Sequence, residues 1–210
     1  MSRYFVSGYV SWFQTPKSRH PRALTPAVSA DLQLQRRKWS DTMQSRLNFL
    51  TAAPSAVRAM SSLDAYVKRS SGLEPSLLEL IRLRSSQING CAYCIDMHTK
   101  DARANGETEQ RLYTLSAWRD TPFFTERERA ALLWTEHITL VSQEHVPDSV
   151  FELVRQHFSE EELVNLTLAA VTINGWNRFS IAFRAVPGEY EPANRGDLKK
   201  SESGAAVRSS

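Results

Sequence analysis

A chain of 210 residues with 41% hydrophobic side chains is long enough for one packed domain with tails, and its composition is not that of a disordered chain. Its net charge of +3 is unevenly spread: seven cations against two acids give residues 1–42 a charge of +5 and leave −2 on the remaining 168. The later part is near neutral, which argues against a nucleic-acid footprint, and no run of about 18 apolar residues reads as a transmembrane helix.

Residues 1–42 differ from the rest. Pro16, Pro21 and Pro26 interrupt any periodicity, acids are scarce, and Ser, Arg and aromatic residues mix without a pattern. Three readings compete: a disordered extension, an organelle transit peptide, and upstream sequence preceding a natural start at Met43. The segment is expected to lie outside the fold. It does not resemble a secretory signal, because no clean apolar run follows its basic start.

From Met43 onward helix signals repeat. Pro54 opens a predicted helix to about Arg69, and Gly72 stands where its C-terminal stop belongs. Pro75 opens the next, with Leu77, Leu78, Ile81, Leu83 and Ile88 as apolar positions and Asn89-Gly90 as its end. A third helix starts near Cys91 and ends at Asn105-Gly106, and a short one covers about 108–117. Thr125 with Glu128 is a capping-box pattern that begins a helix through about Ser142, with an apolar stripe of Ala130, Leu133, Trp134, Ile138 and Val141. Pro147-Asp148 starts a short helix to about His157. Ser159 with Glu162 is a second capping box, opening the longest apolar helix, about 160–185. No stretch reads as a strand hairpin, so the expected fold is all-α, a bundle of about six to seven helices over residues 43–186. From 187 to 210 the chain turns to Pro, Gly, Ser and charge and reads as a disordered tail.

The chemistry concentrates in one stretch, ELIRLRSSQINGCAYCIDMH, from Glu79 to His98. The chain has two cysteines, Cys91 and Cys94, at i and i+3 at the start of a helix. That spacing puts both sulfurs on one face, within disulfide reach, and so few cysteines point to redox work or metal ligation in a reducing compartment, here the cytoplasm. His98 joins the same face, one turn after Cys94. A helix N-terminus favours thiolate over thiol, and an imidazole one turn away can take the thiol proton and return it to a leaving oxygen. The Asn89-Gly90 turn can fold the preceding helix back, bringing Glu79 to His98 to hold its tautomer or relay the proton.

Blander readings stand beside this one. The pair can be two buried structural cysteines, or half of a zinc site completed by His98 and Glu79, although structural zinc generally takes more sulfur. Glu79 alone reads as a surface or ion-pair residue, with Arg82 and Arg84 close by. A thioredoxin-type motif needs a preceding strand, and here a helix precedes. His137 reads as a core or interface residue, and His145 and His157 as loop and helix-end residues; His20 falls in the extension. Trp118, Trp134 and Trp176 read as packing residues, and Glu126 to Arg129 as a solvated first turn.

At these residues the sequence resembles the alkylhydroperoxidase D-like branch of the carboxymuconolactone decarboxylase superfamily. The likeness spans roughly 43–186. Its signature, a glutamate, a spacer and CxxCxxxH, is met by Glu79, Cys91, Cys94 and His98, and INGWNRFSIAFR is also typical of the branch. The resemblance implies an all-helical homo-oligomer that reduces peroxides through its thiols without metal or flavin. It implies that Cys94 attacks the peroxide, that Cys91 resolves the sulfenic acid to a Cys91–Cys94 disulfide, and that His98 and Glu79 relay protons. One departure matters: the best-studied type of the family carries another histidine immediately before the second cysteine, where this chain has Tyr93. Its hydroxyl is an auxiliary that substitutes for imidazole only in part.

The function expected is therefore a thiol-dependent peroxidase. Its partners are a small-molecule hydroperoxide and a dithiol electron donor or a partner peroxiredoxin, with no cofactor, no nucleic acid and no membrane. The alternative is a helical oligomer that senses redox state or passes electrons without fast turnover. A third reading, a lyase or isomerase using Glu79 and His98, dispenses with the thiols.

Overall fold

The computed structural model describes residues 44–192. The expectations for residues 1–42 and for the end of the chain beyond 192 lie outside these. Among the described residues there are eight α-helices and one 3₁₀ helix and no strand. They are α1 (Phe49–Ala52), α2 (Pro54–Ser70), α3 (Pro75–Asn89), α4 (Ala92–Ala104), α5 (Glu109–Thr114), the 3₁₀ helix Leu115–Asp120, α6 (Glu126–Thr139), α7 (Asp148–Val154) and α8 (Glu160–Phe183). The all-α expectation holds. Sequence reading had not separated α1, and it ran the 3₁₀ turn into α5.

The boundaries follow the local signals. Proline occupies the first turn of α2 and α3, where its missing N–H is no loss. Thr125 and Ser159 form complete capping boxes with Glu128 and Glu162. Gly90 ends α3 at φ 68°, a left-handed cap that suits glycine. Arg184 ends α8 in the same conformation, at φ 54°. Before α1, the Arg46 N–H and the Ser45 hydroxyl both donate to the Phe183 carbonyl, so the start of the described chain satisfies the end of α8.

Helix α3 sits at the centre, packed against α4, α6 and α8. Its apolar residues divide between two clusters. Leu77, Leu78 and Ile81 join Val67, Trp134, Val154, Phe158 and Leu166. Leu80 and Leu83 join Ala102, Leu112, Leu115, Trp118 and Leu132. Each such leucine contributes roughly 1.5–3 kcal/mol by leaving water. A helix apolar on two faces leaves little exposed surface, so its polar residues Glu79, Arg82, Ser85 and Ser86 are buried as well and must find partners.

Ion pairs hold the periphery. Arg127 bonds Glu74 and Glu162, Arg111 bonds Glu107 and Glu128, and Glu136 accepts from Arg84, Arg119 and the Trp118 indole. Arg129 donates to the carbonyls of Trp118, Arg119 and Thr121. The run Glu126–Arg129, read from sequence as a solvated first turn, thus carries three residues, Arg127, Glu128 and Arg129, that link elements. Periodicity does not reveal such links, because the partners lie far away in sequence. The segment read as a tail from 187 begins with six described residues, of which Gly188 and Tyr190 hydrogen-bond to α4.

Candidate functional site

The Asn89-Gly90 turn reverses the chain between α3 and α4, and the buried surroundings fix it tightly. The Cys91 N–H donates to the Ser86 carbonyl at 3.0 Å. The Asn89 amide donates to Asn174 Oδ1 at 2.9 Å and to Asn177 Oδ1 at 2.8 Å. The Asn177 amide in turn donates to the Ser86 hydroxyl at 3.0 Å. Two asparagines of the INGWN segment on α8 therefore clamp the residues that deliver Cys91 to the helix start.

Cys91 is the N-cap of α4, and its sulfur accepts from the Cys94 N–H at 3.3 Å. Cys91 and Cys94 are paired as a disulfide, with their Cα atoms 5.4 Å apart, inside the Cα range that a disulfide requires. Both are buried, at 1% exposure, but they face different surroundings. Cys94 lines a cavity of about 260 Å³ together with Tyr93, Met97, His98, Trp176 and Tyr190; Cys91 is not among its lining residues.

Glu79, predicted to approach His98, does so: His98 Nδ1–H donates to Glu79 Oε2 at 2.9 Å. With Nδ1 as donor to a carboxylate, the neutral ring carries its lone pair on Nε2. That atom is buried and has no hydrogen-bond partner. Arg82 donates to Glu79 Oε1 at 2.7 Å and to Asp64 Oδ1 at 3.0 Å. Asp64, Arg82, Glu79 and His98 thus form a chain of groups from α2 through α3 to α4. With His98 neutral the four carry a net formal charge of −1, and an imidazolium brings the set to zero. Burial alone raises the Glu79 pKa, but hydrogen bonds and charge from His98, then from Arg82, outweigh it and hold the carboxyl below its ordinary value.

Asp101, one turn after His98, is the third member of a close group. Glu79, His98 and Asp101 each offer a ligand atom, and these lie within 4.8 Å of one another, so they are the residues available to a divalent cation. Both oxygens of Glu79 are already engaged, and Asp101 Oδ1 accepts from the Tyr190 hydroxyl at 2.7 Å.

Several cavity residues were not visible in the sequence as site residues. Trp176, read as a packing residue, lines the cavity, and so do Asp64, Asp101 and Tyr190. Arg82 was a plausible ion-pair partner by proximity; its second bond, to Asp64, depends on tertiary packing alone. Asp101 had a legible signal in its i+3 spacing from His98. Tyr190 had none. Of the other residues weighed, Trp118 and Trp134 are buried in the two cores as expected, and His137 is half-buried on α6 away from the cysteines.

Comparison with known proteins places the chain in a family. The carboxymuconolactone decarboxylase family model matches residues 54–137, which include all of α3 and α4. The uncharacterized protein YdfG of Bacillus subtilis (strain 168) is 48% identical over 140 residues, covering 67% of this chain and 95% of its own length. A crystal structure from Agrobacterium tumefaciens, of a protein of unknown function provisionally assigned to the AhpD antioxidant defence proteins, is 44% identical with a TM-score of 0.66, covering 72% of this chain and 100% of that one. The debrominase Bmp8 shares the fold at 20% identity and a TM-score of 0.59, covering 67% of this chain and 75% of its own, so other activities occur on the same scaffold. From the match to the family model and the coverage of these relatives, the chain belongs to the carboxymuconolactone decarboxylase family, in its AhpD-like branch.

Proposed function

We propose that the protein is a thiol-dependent peroxidase in which Cys94 reduces a hydroperoxide and Cys91 resolves the product. The observation that carries this reading is that Cys94 lines the cavity beside His98, whose Nε2 lone pair is free because Glu79 holds Nδ1. His98 takes the Cys94 thiol proton as general base. The thiolate attacks the terminal oxygen of ROOH; the S–O bond forms as the O–O bond breaks. His98 returns the proton to the alkoxide, and ROH leaves Cys94 as sulfenic acid. The Cys91 thiol then condenses with it to give the disulfide and one water. A dithiol donor restores both thiols by exchange.

The burial of Glu79 supports its place in this scheme. The unbalanced negative charge of the Asp64–Arg82–Glu79 set stabilises the imidazolium that appears when Cys94 ionises. Cys91 stands at the N-cap of α4, a helix-start position that assists its attack on the sulfenic acid. We also read the protein as a homo-oligomer, because Val141, just past the end of α6, and Val164 and Val171 on α8 stand 49%, 68% and 51% exposed; light scattering showing a monomer at micromolar concentration refutes this.

The test of the peroxidase reading is peroxide consumption by wild type and by Cys94→Ser, with dihydrolipoamide and with thioredoxin as donors. Wild-type turnover that Cys94→Ser abolishes supports it. No turnover with any donor, alongside reversible formation of the disulfide, favours the electron-passing alternative.

A further inference from the structure

Residues 187–190 are tied to the helix that carries the cysteines. The Gly188 N–H donates to Asp96 Oδ2 at 3.0 Å. Lys100 Nζ donates to the carbonyls of Gly188 at 3.2 Å and Tyr190 at 2.9 Å, and it pairs with Asp96 at 3.0 Å. The Tyr190 hydroxyl donates to Asp101 Oδ1 at 2.7 Å. Gly188 holds φ 111°, a conformation that side-chain-bearing residues rarely adopt. The segment is therefore a strap fixed at its backbone by two residues of α4, Asp96 and Lys100, and at its tip by a third, Asp101.

The strap ends in the cavity: the Tyr190 ring lines it with Tyr93, Cys94, Met97 and His98. We propose that Tyr190 is a specificity-determining residue, a fixed wall of the Cys94 cavity that admits narrow hydroperoxides and restricts bulky ones. The inference rests on Cys94 being the peroxide-reactive thiol. Three features carry it. Wall and thiol are both anchored on α4, so the distance between them is set by one rigid element. The ring's far end is pinned by Asp101, whose Oδ1 accepts from the Tyr190 hydroxyl at 2.7 Å. The cavity, about 260 Å³, lies below the roughly 300–1,000 Å³ of drug-sized sites, so removing one aromatic ring enlarges it by a substantial fraction.

Two rate ratios test the wall. One compares turnover of cumene hydroperoxide with that of hydrogen peroxide. The other compares alkylation of Cys94 in the reduced protein by N-phenylmaleimide and by iodoacetamide, with the modified cysteine identified by mass spectrometry. Tyr190→Ala is expected to raise both bulky-to-small ratios about tenfold, the low end of what a pocket wall contributes to discrimination. Tyr190→Trp lowers them. Tyr190→Phe, which keeps the ring and the backbone ties, changes them less than Tyr190→Ala. Lys100→Met, which frees the strap and leaves the ring, shifts them in the direction of Tyr190→Ala. Unchanged ratios in Tyr190→Ala overturn the proposal. Alkylation ratios that shift while wild type reduces neither peroxide leave the wall standing and remove the peroxidase reading instead.

Discussion

Helices α2 and α3 are neighbours in sequence and opposites in environment. In α3, nine of fifteen residues are buried, among them Glu79 and Arg82; in α2, of seventeen residues, Val67 is the one that is buried. Both contribute an acid to the same arginine. Glu79 of α3 sits at 7% side-chain exposure and Asp64 of α2 at 29%. The charge that contacts His98 is on the helix that cannot move without disrupting two cores, and the outer charge is on the helix with the freer surface. A buried acid with both oxygens engaged orients an imidazole; a half-exposed one chiefly balances charge.

The largest effect expected along this chain of groups is at its end. Cys94→Ser should lower peroxide turnover by roughly 10³-fold or more, since the nucleophile has no substitute. Cys91→Ser should still form a sulfenic acid trappable after one equivalent of peroxide. Trapping in Cys94→Ser and not in Cys91→Ser reverses the roles, and means that the helix-start position of Cys91 outweighs the nearness of His98 to Cys94.

Next come the two acids. Glu79→Gln should slow the thiol step by about 10²-fold and lower stability by about 3 kcal/mol, because Arg82 is left buried with half its compensation. Asp64→Asn, half-exposed, should lower stability by about 1 kcal/mol or less and leave the rate within a few-fold. Equal losses in urea denaturation would remove the distinction between the helices. The pH dependence has a definite sign. Glu79 has a folded-state pKa below its ordinary value of 4.5. Its contribution is therefore complete above that value and is lost as pH falls through the lower folded one. Acid unfolding of Glu79→Gln should be flatter than wild type below about pH 4.5.

The α3–α4 hairpin was more legible in the sequence than the cavity around it. Glu79, Cys91, Cys94 and His98 lie within twenty residues, and helical spacing with one turn signal is enough to place them together. Helix starts were legible too, because prolines and capping boxes act locally. Trp176 was not separable from the packing tryptophans, since an aromatic on an apolar helix reads the same whether it faces a core or a cavity. Tyr190 was hidden because a stretch rich in Pro, Gly and charge reads as unstructured. Its order comes from side chains of α4, Asp96, Lys100 and Asp101, about ninety positions earlier.

The amide clamp at the hairpin turn is a smaller effect than the loss of the Glu79 charge. Asn177 is fully buried, and Asn177→Ala leaves the Asn89 amide short of one acceptor and the Ser86 hydroxyl short of one donor. The expected loss is about 1–3 kcal/mol, read by thermal or urea unfolding. If the clamp also fixes Cys91, disulfide formation in Asn177→Ala slows relative to wild type when a common external oxidant is used.

The smallest effect comes from the ends of α3 and α8, which use one backbone conformation and two different residues. Gly90 caps α3 at φ 68° and Arg184 caps α8 at φ 54°. A left-handed conformation costs an L-residue about 1–2 kcal/mol. Glycine avoids that cost but loses about 0.4–1 kcal/mol more through the freedom of its unfolded chain. The first term exceeds the second, so the two exchanges should have opposite signs. Gly90→Ala, where an added Cβ meets nothing within 4 Å, should lower stability by about 0.5–1 kcal/mol from backbone strain alone. Arg184→Gly should raise it by a similar or smaller amount, about 0.5 kcal/mol, since the Arg184 cap is made by its backbone N–H to Ile181 and Ser180, which glycine keeps. Paired thermal melts of the two variants decide it. A loss of stability in Arg184→Gly shows that the side chain contributes more to the end of α8 than its backbone geometry costs.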